Sequence, residues 1–102
     1  MLTYVIMEVC YNQNNYTGEI KKVKCGLIGL FGDIVTIEEK SKEVIIKEIE
    51  QQIIECYTWV DGKKGAKVEV VQGMTEKYIR AEGNMEKRDN VGELPVYQVM
   101  RG

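Results

Sequence analysis

Residues 41–60 read SKEVIIKEIEQQIIECYTWV, and a change of period inside this stretch decides the fold. In its first half Ile45, Ile49 and Ile53 recur every four residues with Ile46 beside them, which makes one apolar helix stripe. Lys42, Glu43, Lys47, Glu48 and Glu50 cover the other side, and Glu43 and Lys47 form an i,i+4 pair of the better orientation. Ser41 suits the N-cap, since its hydroxyl can accept a bond from a free amide of the first turn. Thr36, with Glu39 three residues on, is a competing capping box. The helix should end near Gln51 or Gln52, with the face Ile45, Ile49 and Ile53 in the core. In the second half, Ile54-Glu55-Cys56-Tyr57-Thr58-Trp59-Val60 is rich in aromatic and β-branched residues and reads as a strand.

The pattern extends outward on both sides. Asp61-Gly62-Lys63-Lys64-Gly65 is a turn headed by Asp-Gly, and Lys67-Val68-Glu69-Val70-Val71 is the returning strand. A second turn over 73–76 leads into Lys77-Tyr78-Ile79-Arg80. The tail 81–102 reads mostly as loop, with 96–100 as an edge strand. Upstream, the β-rich run 2–10 and Glu19 to Cys25 form a hairpin across an Asn-, Gln- and Gly-rich loop over 11–18. Gly26-Leu27-Ile28-Gly29-Leu30-Phe31-Gly32 lacks the G-x-G-x-x-G spacing and the Lys-Ser/Thr of a phosphate loop. It reads as an apolar loop or irregular strand edge. Residues 33–38 are one more short strand. The expected fold is α+β: a single domain over 1–102, an antiparallel sheet of about five strands with one helix on a face.

Composition narrows the function. With 102 residues, 44% hydrophobic and 29% charged, the chain has an ordinary globular mix. Its net charge of −2 gives no general attraction to nucleic acid, and Lys21-Lys22-Val23-Lys24 reads as the solvated face of a strand. No apolar run approaches the ~20 residues of a membrane span. The start, Met1-Leu2-Thr3-Tyr4-Val5, has no basic region or long apolar run, so a cytoplasmic protein is expected. Cys10, Cys25 and Cys56 are widely spaced and there is no histidine, so no metal site and no cofactor is expected and the cysteines read as small buried thiols. Without histidine the commonest acid/base group near neutral pH is missing, a cysteine nucleophile has no histidine base, and Ser41 is the only serine. No catalytic residue is assigned, and an enzyme is disfavoured.

The last third carries a resemblance. Gly65-Ala66-Lys67-Val68-Glu69-Val70-Val71, then Tyr78-Ile79-Arg80-Ala81, then Asp89-Asn90-Val91-Gly92-Glu93-Leu94-Pro95, together resemble a small bacterial and phage family known as the domain of unknown function three-eight-nine-two. Gly18 to Lys24 is similar to that family's second strand, and the helix from Ser41 sits where the family has one. The chain departs from the pattern at Ala81 (Thr in the family), at Val91 (Leu), in the first strand, which lacks the family's Val-Arg, and in the glycine-rich stretch 26–32. The resemblance implies a fold and a motif, not a reaction.

Two readings of that motif follow from its chemistry. In one, the Arg80 fork holds Asp89 bidentately, Asn90 fixes the turn before Leu94-Pro95, and the tail is pinned to the sheet. In the other, Arg80, Asp89 and Asn90 line a pocket for a small anionic ligand, with Tyr57, Trp59 or Tyr78 stacking on its ring. The functional expectation is a non-enzymatic module that sequesters a nucleotide-like signalling ligand, in the manner of phage proteins that counter host defence. The alternative is a small interaction or inhibitor module of bacterial or phage origin. Exposed apolar residues at Leu27, Ile28, Leu30 and Phe31 would need cover, so a homo-oligomer is expected.

Overall fold

The computed structural model describes residues 1–12, 19–83, 89–92 and 94–100. Its elements, in chain order, are β1 (Leu2–Asn12), β2 (Ile20–Ile28), β3 (Ile34–Ser41), α1 (Lys42–Glu50), β4 (Ile54–Val60), β5 (Lys63–Gln72), β6 (Lys77–Ala81) and β7 (Val96–Met100). The loop expected over 11–18 lies outside the described residues from 13 onward.

The α+β expectation holds, but the sheet does not. The described strands form one seven-stranded sheet in the order β3-β2-β1-β4-β5-β6, with β7 beside β1. It is mixed rather than antiparallel: β1 pairs in parallel with β4 and with β7. The helix is the physical reason for the first of these pairings. It carries the chain from the end of β3 back along the sheet, so β4 starts at the end where β3 started and runs the same way. Residues 26–28 belong to β2 and are not loop; the chain turns only beyond them, before β3.

Strand β1 is central, and its two neighbours on one side share it end to end. Leu2 to Ile6 pair with Ile54 to Thr58, while Val9 to Asn12 pair with Val96 to Met100. The ladder with β2 slips by one residue between Ile6 and Glu8, a bulge at Met7. The handover from β4 to β7 therefore falls at a kink in β1.

Helix α1 begins as its sequence demands: Ser41 Oγ accepts from the Val44 amide at 3.2 Å, while Thr36 lies within β3. It ends in a Schellman motif, with the Gln52 amide donating to the Ile49 carbonyl and the Ile53 amide to the Glu48 carbonyl. The helix ends before the apolar stripe does, so Ile53 is 46% exposed and is not core. Ile45 is fully buried, Ile46 nearly so and Ile49 partly, and they pack with Tyr4, Ile6, Val23, Ile54, Val68 and Ile79. Gln52 holds the left-handed position (φ 58°) that glycine occupies at no steric cost. Gln52→Gly should raise stability by about 0.5–1 kcal/mol, read as a higher urea midpoint at unchanged slope. A lower midpoint would contradict it.

Among the described residues, no helix covers the face of the sheet opposite α1. Tyr97 of β7 bridges across it, donating to Glu39 of β3 at 2.7 Å, with the Lys24 ammonium 4.9 Å from its ring centre. Burial and the bond to Glu39 push the Tyr97 phenol above its ordinary range. Lys22 and Lys24 pair with Glu39 and Glu8, the solvated strand face expected of that basic run. Among the described residues, no helix is long and apolar enough to cross a membrane.

Candidate functional site

The motif residues divide into two groups. The first surrounds Asp89, whose side chain is wholly buried. Its Oδ1 accepts from the Ile79 amide at 3.0 Å, and its Oδ2 from the Ile20 amide at 2.8 Å and from Lys42 Nζ at 2.9 Å. One carboxylate thus ties together the starts of β2 and α1 and the middle of β6. Asn90 continues the attachment. Its amide donates to the Ile79 carbonyl, its carbonyl accepts from the Ala81 amide, and its Oδ1 accepts from the Gly92 amide at 3.1 Å. Val91 and Leu94 then enter the core, and the Pro95 carbonyl accepts from the Val9 amide, which aligns β7 on β1.

The tail is therefore pinned, but not by the expected pair. Arg80 Nε bonds Glu69 across the β5–β6 ladder at 2.9 Å, and the cation beside Asp89 is Lys42. Periodicity could not reveal this partner, because Lys42 reads simply as a polar helix position. Tyr78 is half-buried in the same strand and packs against Gly73.

The second group lies on β4, separated from β6 by the whole of β5. Ile54, Cys56 and Thr58 are buried and alternate with Glu55, Tyr57 and Trp59, so the two rings stand on the face away from the helix. The Asp61-Gly62 turn, both residues at positive φ, sets the register of the hairpin and pairs Trp59 with Lys64. Lys64 Nζ then sits 4.3 Å from the Tyr57 ring centre. At Gly65 the chains approach closely: a Cβ there would lie 2.5 Å from Thr58 Oγ1, which accepts from the Ala66 amide. That contact gives the Gly-Ala of the motif a physical reason.

Trp59 walls two openings. One is a notch of 210 Å³ lined by Ile28, Gly32, Trp59, Gly62, Lys63 and Lys64. The other, 500 Å³, runs from Met7 and Glu8 past Trp59 to Leu94 and Pro95. Neither includes Arg80 or Asn90. A third groove, 380 Å³, lies beside α1, but Lys42 and Lys77 on its wall already hold Asp89 and Glu50. The structure thus brings Tyr57 and Trp59 together with two lysines and sets Arg80, Asp89, Asn90 and Tyr78 apart from them. Lys63 and Lys64 escape the sequence reading, which takes 61–65 as turn and starts the returning strand at Lys67; β5 begins at Lys63, so Lys64 stands in the ladder opposite Trp59.

The three cysteines are free and buried, as expected. Burial pushes the Cys56 thiol up to about 12 and the Cys25 thiol up to about 11. Both are held as thiols at neutral pH, which suits packing and not nucleophilic attack. Among the described residues no group of carboxylates and cysteines could hold a metal ion.

No curated protein and no solved structure matches the chain. A family model does match, over residues 5–95, a span running from β1 to the proline that aligns β7. The Gly-Ala strand that packs on Thr58 and the Asp-Asn turn that pins the tail both fall within it, and the chain belongs to that family, described as Protein of unknown function (DUF3892).

Proposed function

We propose that this protein is a non-enzymatic module that binds and sequesters a small anionic, ring-bearing ligand of nucleotide type on the open face of its sheet. The observation that carries the reading is the notch beside Trp59, which among its described lining residues holds two lysines and no carboxylate although the chain as a whole is acidic. An indole offers a stacking platform, and lysines act as point charges for a phosphate. Sequestration rather than turnover fits a chain without histidine whose Cys25 and Cys56 remain protonated.

The test is a thermal shift series with mono- and cyclic nucleotides. A ligand at a hundred times its dissociation constant should add about 2.7 kcal/mol of stability. Lys63→Glu combined with Lys64→Glu should abolish that gain and leave the unliganded melt within about 0.5 kcal/mol, since both lysines are exposed. No stabilisation of the unaltered protein by any of these compounds would sink the reading.

A second reading, an interaction module, is favoured by one observation. At the turn between β2 and β3, Leu30 is 100% and Phe31 93% exposed. If this tip is a contact surface between copies, the protein should sediment as a dimer at micromolar concentration. Leu30→Ser with Phe31→Ser should then return it to monomer without lowering its melting temperature. A monomer from the outset would exclude this reading.

A further inference from the structure

The opening on the other side of Trp59 has the opposite electrostatic character. It lies where β1 exchanges one neighbour for another, after the Ile6–Thr58 pair and before the Val9–Val96 pair. Such a handover leaves a gap in a sheet for the same reason that ligand crevices form at strand-order reversals in α/β proteins. Its 500 Å³ falls within the range of small-molecule sites. Met7, Trp59, Val60, Leu94 and Pro95 give apolar walls, and the charged side chains among its described lining residues are Glu8 and Asp61. Glu8 is half-buried and shares one oxygen with Lys24 at 3.6 Å. Asp61 enters no ion pair among the described residues and is set in place by its turn, at φ 52°.

An ionised carboxylate only accepts hydrogen bonds. An apolar cleft whose charged groups are two carboxylates therefore selects a flat group that offers N–H donors and rejects one that offers carbonyl oxygens. The two openings share Trp59, and Asp61 and Lys63 sit two residues apart in one turn, each on its own side. Resting on the proposed ligand site, we infer that the ligand is a nucleotide whose base carries an exocyclic amine. The base lies against Trp59, its amino edge faces Glu8 and Asp61, and its phosphate reaches Lys63 and Lys64. Adenine, cytosine and guanine fit this arrangement. Uracil flanks its single ring N–H donor with two carbonyls and does not.

Trp59 is the only tryptophan, so its fluorescence reports binding directly. Titrations with AMP, GMP, CMP, UMP and inorganic phosphate form the test. The amino-bearing nucleotide that binds best should bind about tenfold more tightly than UMP. Asp61→Asn and Glu8→Gln keep shape, and Asn tolerates the left-handed turn position. Together they should bring that ratio to within about threefold, in part by tightening UMP, whose carbonyls the carboxylates repel and the amides can bond. Lys63→Gln should weaken all the nucleotides alike. UMP binding as tightly as the others, or a ratio that the carboxylate changes leave intact, would overturn the base assignment while the phosphate-dependent site stands. No quenching by any nucleotide would overturn the ligand site itself and this inference with it.

Discussion

Asp89→Ala should cost about 3–5 kcal/mol, enough to unfold much of the population of a domain this size. The carboxylate has no exposed side-chain surface and accepts from two amides and one ammonium. Removing it leaves the Lys42 ammonium, on a side chain 6% exposed, with only the more distant Glu19 carboxylate at 3.9 Å, and takes the acceptor from the Ile20 and Ile79 amides. The loss is larger than that of any single bond because a buried charge loses its near partner while two amides lose their acceptor. Adding Lys42→Met to Asp89→Ala should recover part of it, since a buried apolar side chain needs no partner. Urea unfolding of the single and double variants measures both. A loss below about 1 kcal/mol for Asp89→Ala would show that the buried pair contributes little to holding the tail.

Ile45→Ala should cost about 2–5 kcal/mol, the range for truncating a fully enclosed aliphatic side chain. Ile45 has no exposed surface and packs against residues from β1, β2 and β4, so little can collapse into the space it leaves. Ile53→Ala, on the same nominal stripe, should cost well under half as much, because nearly half of that side chain already meets water. The pair of melts tests where the helix stops as well as what it covers. Equal losses at the two positions would contradict the helix ending at Glu50.

Local chemistry was legible in the sequence, and long-range pairing was not. Ser41 as the cap, Ile54–Val60 as a strand, the Asp-Gly turn and the late strand over 96–100 all follow from residue types within a few positions of one another. Ile53 misled because spacing alone continues a stripe past the point where Gln52 turns the chain. Strand direction was hidden for a different reason, since alternation looks the same in parallel and antiparallel neighbours. Asp89 and Lys42 are 47 residues apart, and nothing in the composition of either segment marks the other as its partner. The candidate site shows the same limit. Tyr57 and Trp59 were named from their chemistry, and Lys64 was not, because β5 begins at Lys63 and not at Lys67. The share of Glu8 and Leu94 in the neighbouring cleft depends on where β7 lands.

The parallel seat of β7 on β1 has a consequence for how the protein is made. The strand in the middle of the sheet is made before every other described strand, yet one of its neighbours, β7, is the last of them to be made. Until residue 89 is free, Lys42 lacks its nearer acid and the amides of Ile20 and Ile79 lack the carboxylate that accepts from them. Loop closure over most of the chain must precede these contacts, which slows folding. Earlier strands can gather as they emerge, but they gather around the gap that β7 later fills. The sheet therefore stays incomplete until β7 has been made, and for that interval it depends on not meeting another chain whose central strand is equally bare.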